Sequence, residues 1–285
     1  EIITADGRSN PAHSAQEAER LIIEEKVSAL FGCWTSACRK AVKPVVERHN
    51  HLLSYPLQYE GLEQSPHIVY TGAAPNQQII PAFQWATEKF GPRVYLVGSD
   101  YIFPHTAHLI MKEMAITLGA QVVGESFIPL GSADVAPAVA QIQKLQPDMV
   151  INSINGNTNT HLCDAMTQTG IHAKKLPILS LSINENDLGE NPAQLAGHYA
   201  AWGYFKSLKS TDNQRFLQRL RARGVTEAND PMEASYIGLL IWSQARSEER
   251  RVGTECRSRW GAEQHKQKEA QRERNSRRAA WSERM

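Results

Sequence analysis

The residues best suited to chemistry in this chain lie in two short polar and aromatic segments, 32–36 and 55–61. The first reads Gly-Cys-Trp-Thr-Ser and the second Tyr-Pro-Leu-Gln-Tyr-Glu-Gly, and related residues recur in segments 98–104 and 153–157. Hydroxyls, amides and aromatic rings with few charges suit a small, neutral, polar ligand. Taken singly, each segment is better explained by helix capping or turn formation. The prediction of a binding site therefore depends on the segments meeting in the fold.

Residues for catalysis or metal binding form no known motif. The chain has no Gly-rich phosphate loop, dinucleotide fingerprint, nucleophile elbow or His-Glu-x-x-His pair. His105 and His108 are three apart but lack a third ligand nearby, so we expect ordinary surface histidines. Ser36 and Cys33 are candidate nucleophiles, and neither has a histidine with an orienting carboxylate beside it in the sequence. We therefore expect a binding protein, not an enzyme, with no cofactor and no metal.

The cysteines predict free thiols. The chain has four of them, which is too few for a disulfide-stapled scaffold of this length. Cys33 and Cys38 lie at a predicted strand-to-helix junction, and their five-residue spacing should point the two side chains in different directions. We expect each to be a buried thiol, which leaves the redox compartment open.

The elements that position these segments follow from the hydrophobic pattern, in which short apolar runs alternate with amphipathic stretches. This pattern is typical of βαβ units and parallel sheets. Strands are predicted at 27–31, 52–54, 68–71, 93–98, 121–128, 149–152, 178–181 and 199–202. Helices are predicted at 15–25, 106–118, 135–145, 213–223 and 232–245, and after Ser36. All four polar segments follow predicted strands, where open α/β sheets bind ligands.

Charge is distributed unevenly along the chain. The net charge is +1, but residues 246–285 hold 12 basic and 7 acidic side chains, which leaves 19 and 23 for the rest. The body therefore gives no reason to expect nucleic acid binding. No apolar run approaches the roughly 20 residues that span a bilayer, so we expect no direct membrane insertion. The polar, Arg-rich composition of 246–285 predicts a disordered, non-native tail.

Several segments together resemble the urea-binding proteins of bacterial urea ABC transporters, a branch of the type I periplasmic-binding-protein family. The resemblance lies in Phe31 to Ser36, Arg39 to Val42, Tyr55 to Gly61, Tyr70 to Gln78, Gly98 to Tyr101, Ile154 to Asn157, Gly197 to Trp202 and Asn229 to Ala234. It implies an α/β fold of two Rossmann-like lobes whose parallel sheets are joined by hinge strands. Residues 1–72 and 203–245 would form the first lobe and 73–202 the second. The start and the closing part of the first lobe would be missing.

The resemblance also implies a function and a set of contacts. The chain would bind urea or a short-chain amide in the periplasm and deliver it to the permease subunits of an ABC transporter. The alternative is a cytoplasmic amide sensor that regulates an amidase operon. The implied ligand-binding residues are Trp34, Thr35, Ser36, Tyr55, Leu57, Gln58, Tyr101, Phe103, Asn155, Gly156 and Glu233. Trp34 and the Leu57-Gln58 pair agree with the urea branch, so urea is favoured over acetamide.

Urea offers one carbonyl acceptor and four N–H donors, so Ser36 and the first amides of its helix are expected to bind the carbonyl.

Two of the implied ligand-binding residues have a second interpretation. Glu233 either accepts from an amide nitrogen or is a first-turn carboxylate favoured by the helix dipole. Phe103 either closes over the ligand or belongs to the core.

Overall fold

The computed structural model describes residues 1–188 and 195–247 and has an α/β architecture with two parallel sheets. The first sheet has the order β1-β2-β3, with β1 at Leu30–Phe31, β2 at Leu53–Tyr55 and β3 at Ile68–Tyr70. The second has the order β5-β4-β6-β7-β8, with β4 at Arg93–Ser99, β5 at Gln121–Ile128, β6 at Met149–Ser153, β7 at Ile178–Ser180 and β8 at Tyr199–Ala200. Both sheets lie in one compact unit, Glu1–Gly238.

Helices precede, connect and follow the strands. They are α1 at Pro11–Ile23, α2 at Ser36–Arg48, α3 at Ile79–Phe90, α4 at Ile102–Leu118, α5 at Ala136–Leu145, α6 at Thr158–Gln168 and α7 at Thr211–Arg221, and residues 230–247 are also helical. Each predicted strand and helix overlaps an observed one. Most helices begin earlier than the apolar period predicts, as at α1, where the Asn10 side chain accepts from the His13 N–H at 3.0 Å.

The second sheet is buried on both faces because helices cover each of them. Side chains alternate along β4, so Val94 and Leu96 pack against α3 and α4, whereas Tyr95 and Val97 pack against α5 and α6. Because β4, β6 and β7 are parallel, their carboxyl ends lie at the same edge of the sheet. Polar segments 98–104 and 153–157 lie at the ends of β4 and β6.

The first sheet packs against α1 and α2. Its buried residues Leu53 and Tyr55 join Val42 and Val46 of α2 in one cluster. The loop from β1 into α2 therefore begins at the same edge as the loop from β2. The division into lobes stays a prediction, and the predicted tail lies outside the described residues from position 248 onward.

Within the described parts of the chain, the structure contains no helix that combines the length and the apolar character of a membrane span.

Candidate functional site

A narrow cavity lies where the polar segments of both sheets meet, with a volume of about 10 Å³. That is close to the smallest space that holds one water molecule. Its lining consists of Trp34, Ser36, Tyr55, Leu57, Gln58, Tyr101, Phe103, Asn155 and Trp202. None of these nine side chains carries a charge. Eleven ligand-binding residues were predicted, and the structure brings eight of them together here.

A wider cleft of about 750 Å³ shares Trp34, Tyr101 and Asn155 with the narrow cavity. Two further predicted site residues, Thr35 and Gly156, line this cleft and not the narrow cavity. Its lining also contains Asp6, Arg8 and Glu17, which are charged. The site therefore has an outer part with charges and an inner part without them.

The first turn of α2 presents hydrogen-bond donors to the site. Thr35 is the N-cap, as the capping interpretation predicts, and its Oγ1 accepts from the Cys38 N–H at 3.2 Å. The N–H groups of Ser36 and Ala37 have no acceptor within the described residues. Ser36 is buried, and its Oγ accepts from Arg39 Nη1 at 3.1 Å. Because Ser36 accepts from Arg39, its hydroxyl proton can be donated, either to the neighbouring Tyr55 hydroxyl or to a ligand oxygen that replaces it.

Cys33 and Cys38 form a disulfide across this loop, so the prediction of two buried thiols was wrong. Their Cα atoms are 5.5 Å apart, within the usual range for a disulfide. Cys33 has a φ of 65°, which turns its side chain back toward the first turn of α2. Sequence spacing cannot reveal this left-handed conformation. The bridge encloses residues 34–37, named the ligand loop for the three predicted ligand-binding residues in it, Trp34, Thr35 and Ser36.

Behind the cavity, Arg39 is fully buried in a cluster of carboxylates and aromatic rings. Its Nη2 is 2.6 Å from Glu60 and its Nε is 2.8 Å from Glu63. The guanidinium lies 4.7 Å from the centre of the Tyr55 ring, a cation–π contact. Burial alone would lower the pKa of Arg39, but Glu60 and the neighbouring groups raise it above its ordinary value. Arg39 therefore stays charged inside the fold and fixes both Ser36 and Tyr55.

Tyr55 is held neutral by this environment. Burial raises the pKa of its phenol to about 12, although the nearby Arg39 charge acts in the opposite direction. Its hydroxyl donates to the Trp34 carbonyl over a long 3.4 Å contact. A neutral phenol next to the cavity offers a donor and an acceptor without adding charge.

The loops of the second sheet are held by neutral hydrogen bonds. Asn155 Nδ2 donates to the Tyr101 hydroxyl at 2.6 Å, and the Asn155 N–H donates to Ser99 Oγ at 3.0 Å. Burial raises the pKa of Tyr101. Phe103 belongs to the core cluster, as one of its two interpretations predicts, and it also lines the cavity, while its contact with a ligand stays a prediction. These bonds fix the second wall of the cavity opposite Ser36.

Gln58 connects the two walls. It is 7% exposed, and its Nε2 donates to the Leu181 carbonyl at 3.1 Å. Its Oε1 has no hydrogen-bond partner in the described structure. Gly72 makes room for this loop, because a Cβ at that position would overlap the Leu57 carbonyl. One residue that lines the narrow cavity thus carries a buried acceptor that no protein group satisfies.

Glu233 does not line either space. It is partly buried in the helix at 230–247, and burial together with the Asp230 carboxylate raises its pKa. Asp230 lies close by and accepts from the Tyr204 N–H at 2.8 Å. The first-turn interpretation of Glu233 agrees with this position better than the ligand interpretation does.

The expectation of ordinary surface histidines was wrong for His108, whose side chain is 1% exposed. Its ring nitrogens contact Glu125 at 3.0 Å and Ser153 at 3.1 Å. Burial lowers the pKa of His108 to about 4, even though Glu125 acts to raise it. His105 is exposed and contacts Asp100 at 2.7 Å. Neither belongs to a metal-binding group, since no such group occurs among residues 1–188 and 195–247.

Sequence reasoning missed two residues that shape the site. Trp202 lines the narrow cavity and donates from Nε1 to the Ile183 carbonyl at 2.7 Å. Its position just after the last strand was a usable signal, because ligands collect at strand ends. Arg39 shares one helix face with Val42 and Val46, and a charge at a buried helical position was a signal as well.

The family described as "periplasmic binding protein domain" matches residues 1–259. The chain belongs to this family. The description is that of a binding protein, in agreement with the expectation that the chain is not an enzyme. The predicted type I periplasmic-binding-protein fold is confirmed, because solved members of the family share the α/β architecture described above.

Three proteins illustrate what the chain is similar to. A solute binding protein of an ABC transporter from Rhodopseudomonas palustris HaA2, in complex with p-hydroxybenzoic acid, has a TM-score of 0.76 and 26% identity over 83% of this chain and 67% of its own. A leucine binding protein from Thermotoga maritima has a TM-score of 0.76 over 87% of this chain and 72% of its own, and at 18% identity it shows the fold alone. Leu/Ile/Val-binding protein homolog 6 from Brucella melitensis is 23% identical over 241 residues, 82% of this chain. The chain spans 62% of the length of that curated relative.

Proposed function

We propose that this periplasmic binding protein is the solute-binding component of an ABC transporter and that its solute is urea or a short aliphatic amide. The uncharged lining of the narrow cavity carries the proposal, since none of its nine side chains bears a charge. At about 10 Å³ the cavity holds one water, so it must widen toward the adjoining cleft to admit urea. The carboxylate of an amino acid or a benzoate would lose its hydration there without gaining a charged partner. A neutral amide needs only hydrogen-bond donors and acceptors.

The polar groups of the cavity match such a ligand. Ser36 and the free first-turn amides donate to its carbonyl oxygen, and the Gln58 Oε1 accepts from an N–H. Trp34, Tyr101 and Trp202 provide aromatic walls. The proposal gives no ligand contact to Glu233, and Thr35 and Gly156 line the approach through the wider cleft.

The disulfide supports a periplasmic location over the cytoplasmic amide sensor. Disulfides persist in oxidising compartments and are rare in the cytosol, where thiols are kept reduced. The Cys33–Cys38 bridge lies in the ligand loop, so a reducing compartment would alter the site itself.

Closure of two lobes completes the proposal. Residues 1–72 and 203–245 form one lobe and 73–202 the other, with hinges at 71–74 and 201–205. The cavity lining comes from loops of both sheets, and a ligand favours the closed state only through contacts that the open state lacks.

Calorimetric titration of the full chain with urea, acetamide, leucine and 4-hydroxybenzoate tests the ligand class. We expect urea to bind more tightly than acetamide, and both charged ligands to bind more weakly than either. Binding of leucine or 4-hydroxybenzoate without urea would reassign the ligand. An ammonia assay in the same samples should show no release, and steady release would make the chain an enzyme.

The Ser36→Ala variant tests the role of the hydroxyl. Loss of a hydrogen bond to the ligand should weaken urea binding about tenfold. Ser210→Ala is the matched control, because Ser210 caps α7 and lines neither space. It should lower stability by about 1 kcal/mol and leave affinity unchanged. Unchanged affinity in Ser36→Ala would remove Ser36 from the site.

A further inference from the structure

Two buried glutamines reach the same carbonyl group from different parts of the fold. Gln58, in the loop between β2 and β3, donates from Nε2 to the Leu181 carbonyl at 3.1 Å. Gln78, the residue before α3, donates to the same oxygen at 3.2 Å and to the Ala201 carbonyl at 2.6 Å. Leu181 and Ala201 directly follow β7 and β8 of the second sheet. Gln58 therefore ties the first sheet to the strand ends of the second.

The two glutamines differ in what surrounds their remaining polar atom. Gln58 lines the narrow cavity, whereas Gln78 lines neither the cavity nor the wider cleft. Each Oε1 is buried without a partner among the residues that the structure describes. Because each Nε2 is held by a carbonyl, the orientation of both amides is set, and Oε1 is left as an acceptor. Of the two glutamines, only Gln58 lines the cavity in which the ligand is proposed to bind.

A buried acceptor without a partner is unusual enough to require an explanation. A ligand N–H in the cavity would satisfy the Gln58 Oε1. Accepting this hydrogen bond would also polarise the amide and strengthen donation from Nε2 to Leu181. The Gln58 side chain would then accept a hydrogen bond from the ligand and donate one to the Leu181 carbonyl of the second sheet at the same time.

We propose that Gln58 is a latch that couples ligand binding to closure of the site. Its Oε1 accepts from a ligand N–H while its Nε2 holds the Leu181 carbonyl, so the ligand stabilises the contact between the sheets. Gln78 makes the same contact with Leu181 independently of the ligand. The inference rests on the proposed function in one respect, which is that the ligand carries an N–H group.

Three variants of the full chain separate these roles, with urea as the probe. Gln58→Leu removes both hydrogen bonds and should weaken urea binding about tenfold or more. Gln58→Glu keeps an acceptor oxygen but has no donor for Leu181, so urea should bind without closing the structure. Gln78→Leu is the matched control, and urea affinity should stay within about threefold of the original chain. Circular dichroism melting identifies any variant that fails to fold.

Closure is measured as the decrease in radius of gyration by small-angle X-ray scattering when urea is added. The original chain and Gln78→Leu should become more compact, and Gln58→Glu should not. Equal compaction in Gln58→Glu, or equal losses of affinity in Gln58→Leu and Gln78→Leu, would overturn the latch while leaving the proposed ligand in place. If the original chain binds neither urea nor acetamide, the proposed function fails first and the latch fails with it.

Discussion

The two walls of the narrow cavity are held by different chemistry. On the first-sheet side, a buried guanidinium, two carboxylates and a disulfide hold the ligand loop. On the second-sheet side, Tyr101 and Asn155 are held by neutral hydrogen bonds, and the nearby His108 is kept uncharged. A fully buried charged group lies behind the first wall, whereas the side chains that directly hold the second wall, Tyr101 and Asn155, are neutral.

The comparison of Arg39 with His108 shows under which conditions a buried side chain keeps its charge. Arg39 has two carboxylates within 2.8 Å and three aromatic rings around it, which together offset the loss of hydration. His108 has one carboxylate, Glu125, which it shares with Lys112 at 2.6 Å. One shared partner does not offset burial, so the imidazole stays neutral. A cavity without charge can therefore be built beside a strongly charged cluster.

The largest expected effect comes from removing the charge behind the first wall. Arg39→Met keeps most of the side-chain volume but leaves the Glu60 carboxylate buried without its cation. The free energy of unfolding should fall by about 3–5 kcal/mol in guanidinium chloride titrations, since urea is the proposed ligand. Lys40→Met is the control, because Lys40 is half exposed and 3.5 Å from Glu63. Lys40→Met should lower the free energy of unfolding by less than about 1 kcal/mol. If Arg39→Met and Lys40→Met lower it by similar amounts, the buried charge does not hold the first wall.

The second prediction concerns pH and the neutral wall. The pKa of His108 is about 4 in the folded chain and 6.5 in the reference state, so the unfolded chain takes up the proton first as the pH falls. The resulting loss of stability should begin near pH 6.5 and level off below about pH 4, reaching about 3 kcal/mol. Above pH 6.5 this group should have no effect.

The measurement is the difference in unfolding free energy between the original chain and His108→Gln from pH 7.5 to 4. Taking this difference cancels the contributions of the other groups that titrate in this pH range, because both proteins share them. His105→Gln, on the exposed neighbour, should follow the original chain. Parallel profiles for the original chain and His108→Gln would show that the imidazole is not held neutral.

Reduction of the disulfide should have a smaller effect, confined to the first wall. The bridge closes a short loop, so its loss should lower stability by about 2 kcal/mol through the entropy of the unfolded chain. It should also weaken urea binding, because the loop that carries Trp34 and Ser36 is released. Unfolding midpoints with and without reductant provide the measurement. Cys38→Ser should already have the lower midpoint and should not respond to reductant; a response there would place the effect elsewhere.

The smallest effect is expected from one hydrogen bond of the second wall. Tyr101→Phe leaves Asn155 Nδ2 without its acceptor and should cost about 1 kcal/mol, together with a loss of urea affinity. Tyr95→Phe is the matched control, since its hydroxyl bonds Ser126 away from both spaces. The control should lose similar stability and keep its affinity. If both variants lose affinity equally, Tyr101 acts through stability alone.

Local sequence determined the elements and the general position of the site. The alternation of apolar runs and amphipathic stretches is encoded within about ten residues at a time, which is why the strands and helices could be predicted. Parallel strands then bring their carboxyl ends to one edge, so residues directly after strands, such as Ser36, Tyr55 and Tyr101, met around the cavity as expected.

Tertiary structure decided what each side chain experiences there. The burial of Arg39 requires Glu60 and Glu63 from a distant loop, and that of His108 requires Glu125 and Ser153 from neighbouring strands. The disulfide depends on the left-handed backbone of Cys33, which spacing does not encode. Partners and burial are properties of residues brought together from separate parts of the chain. For that reason the sequence alone indicated where a candidate binding site lies, and only the fold showed which of its surrounding groups are charged, neutral or joined by a disulfide.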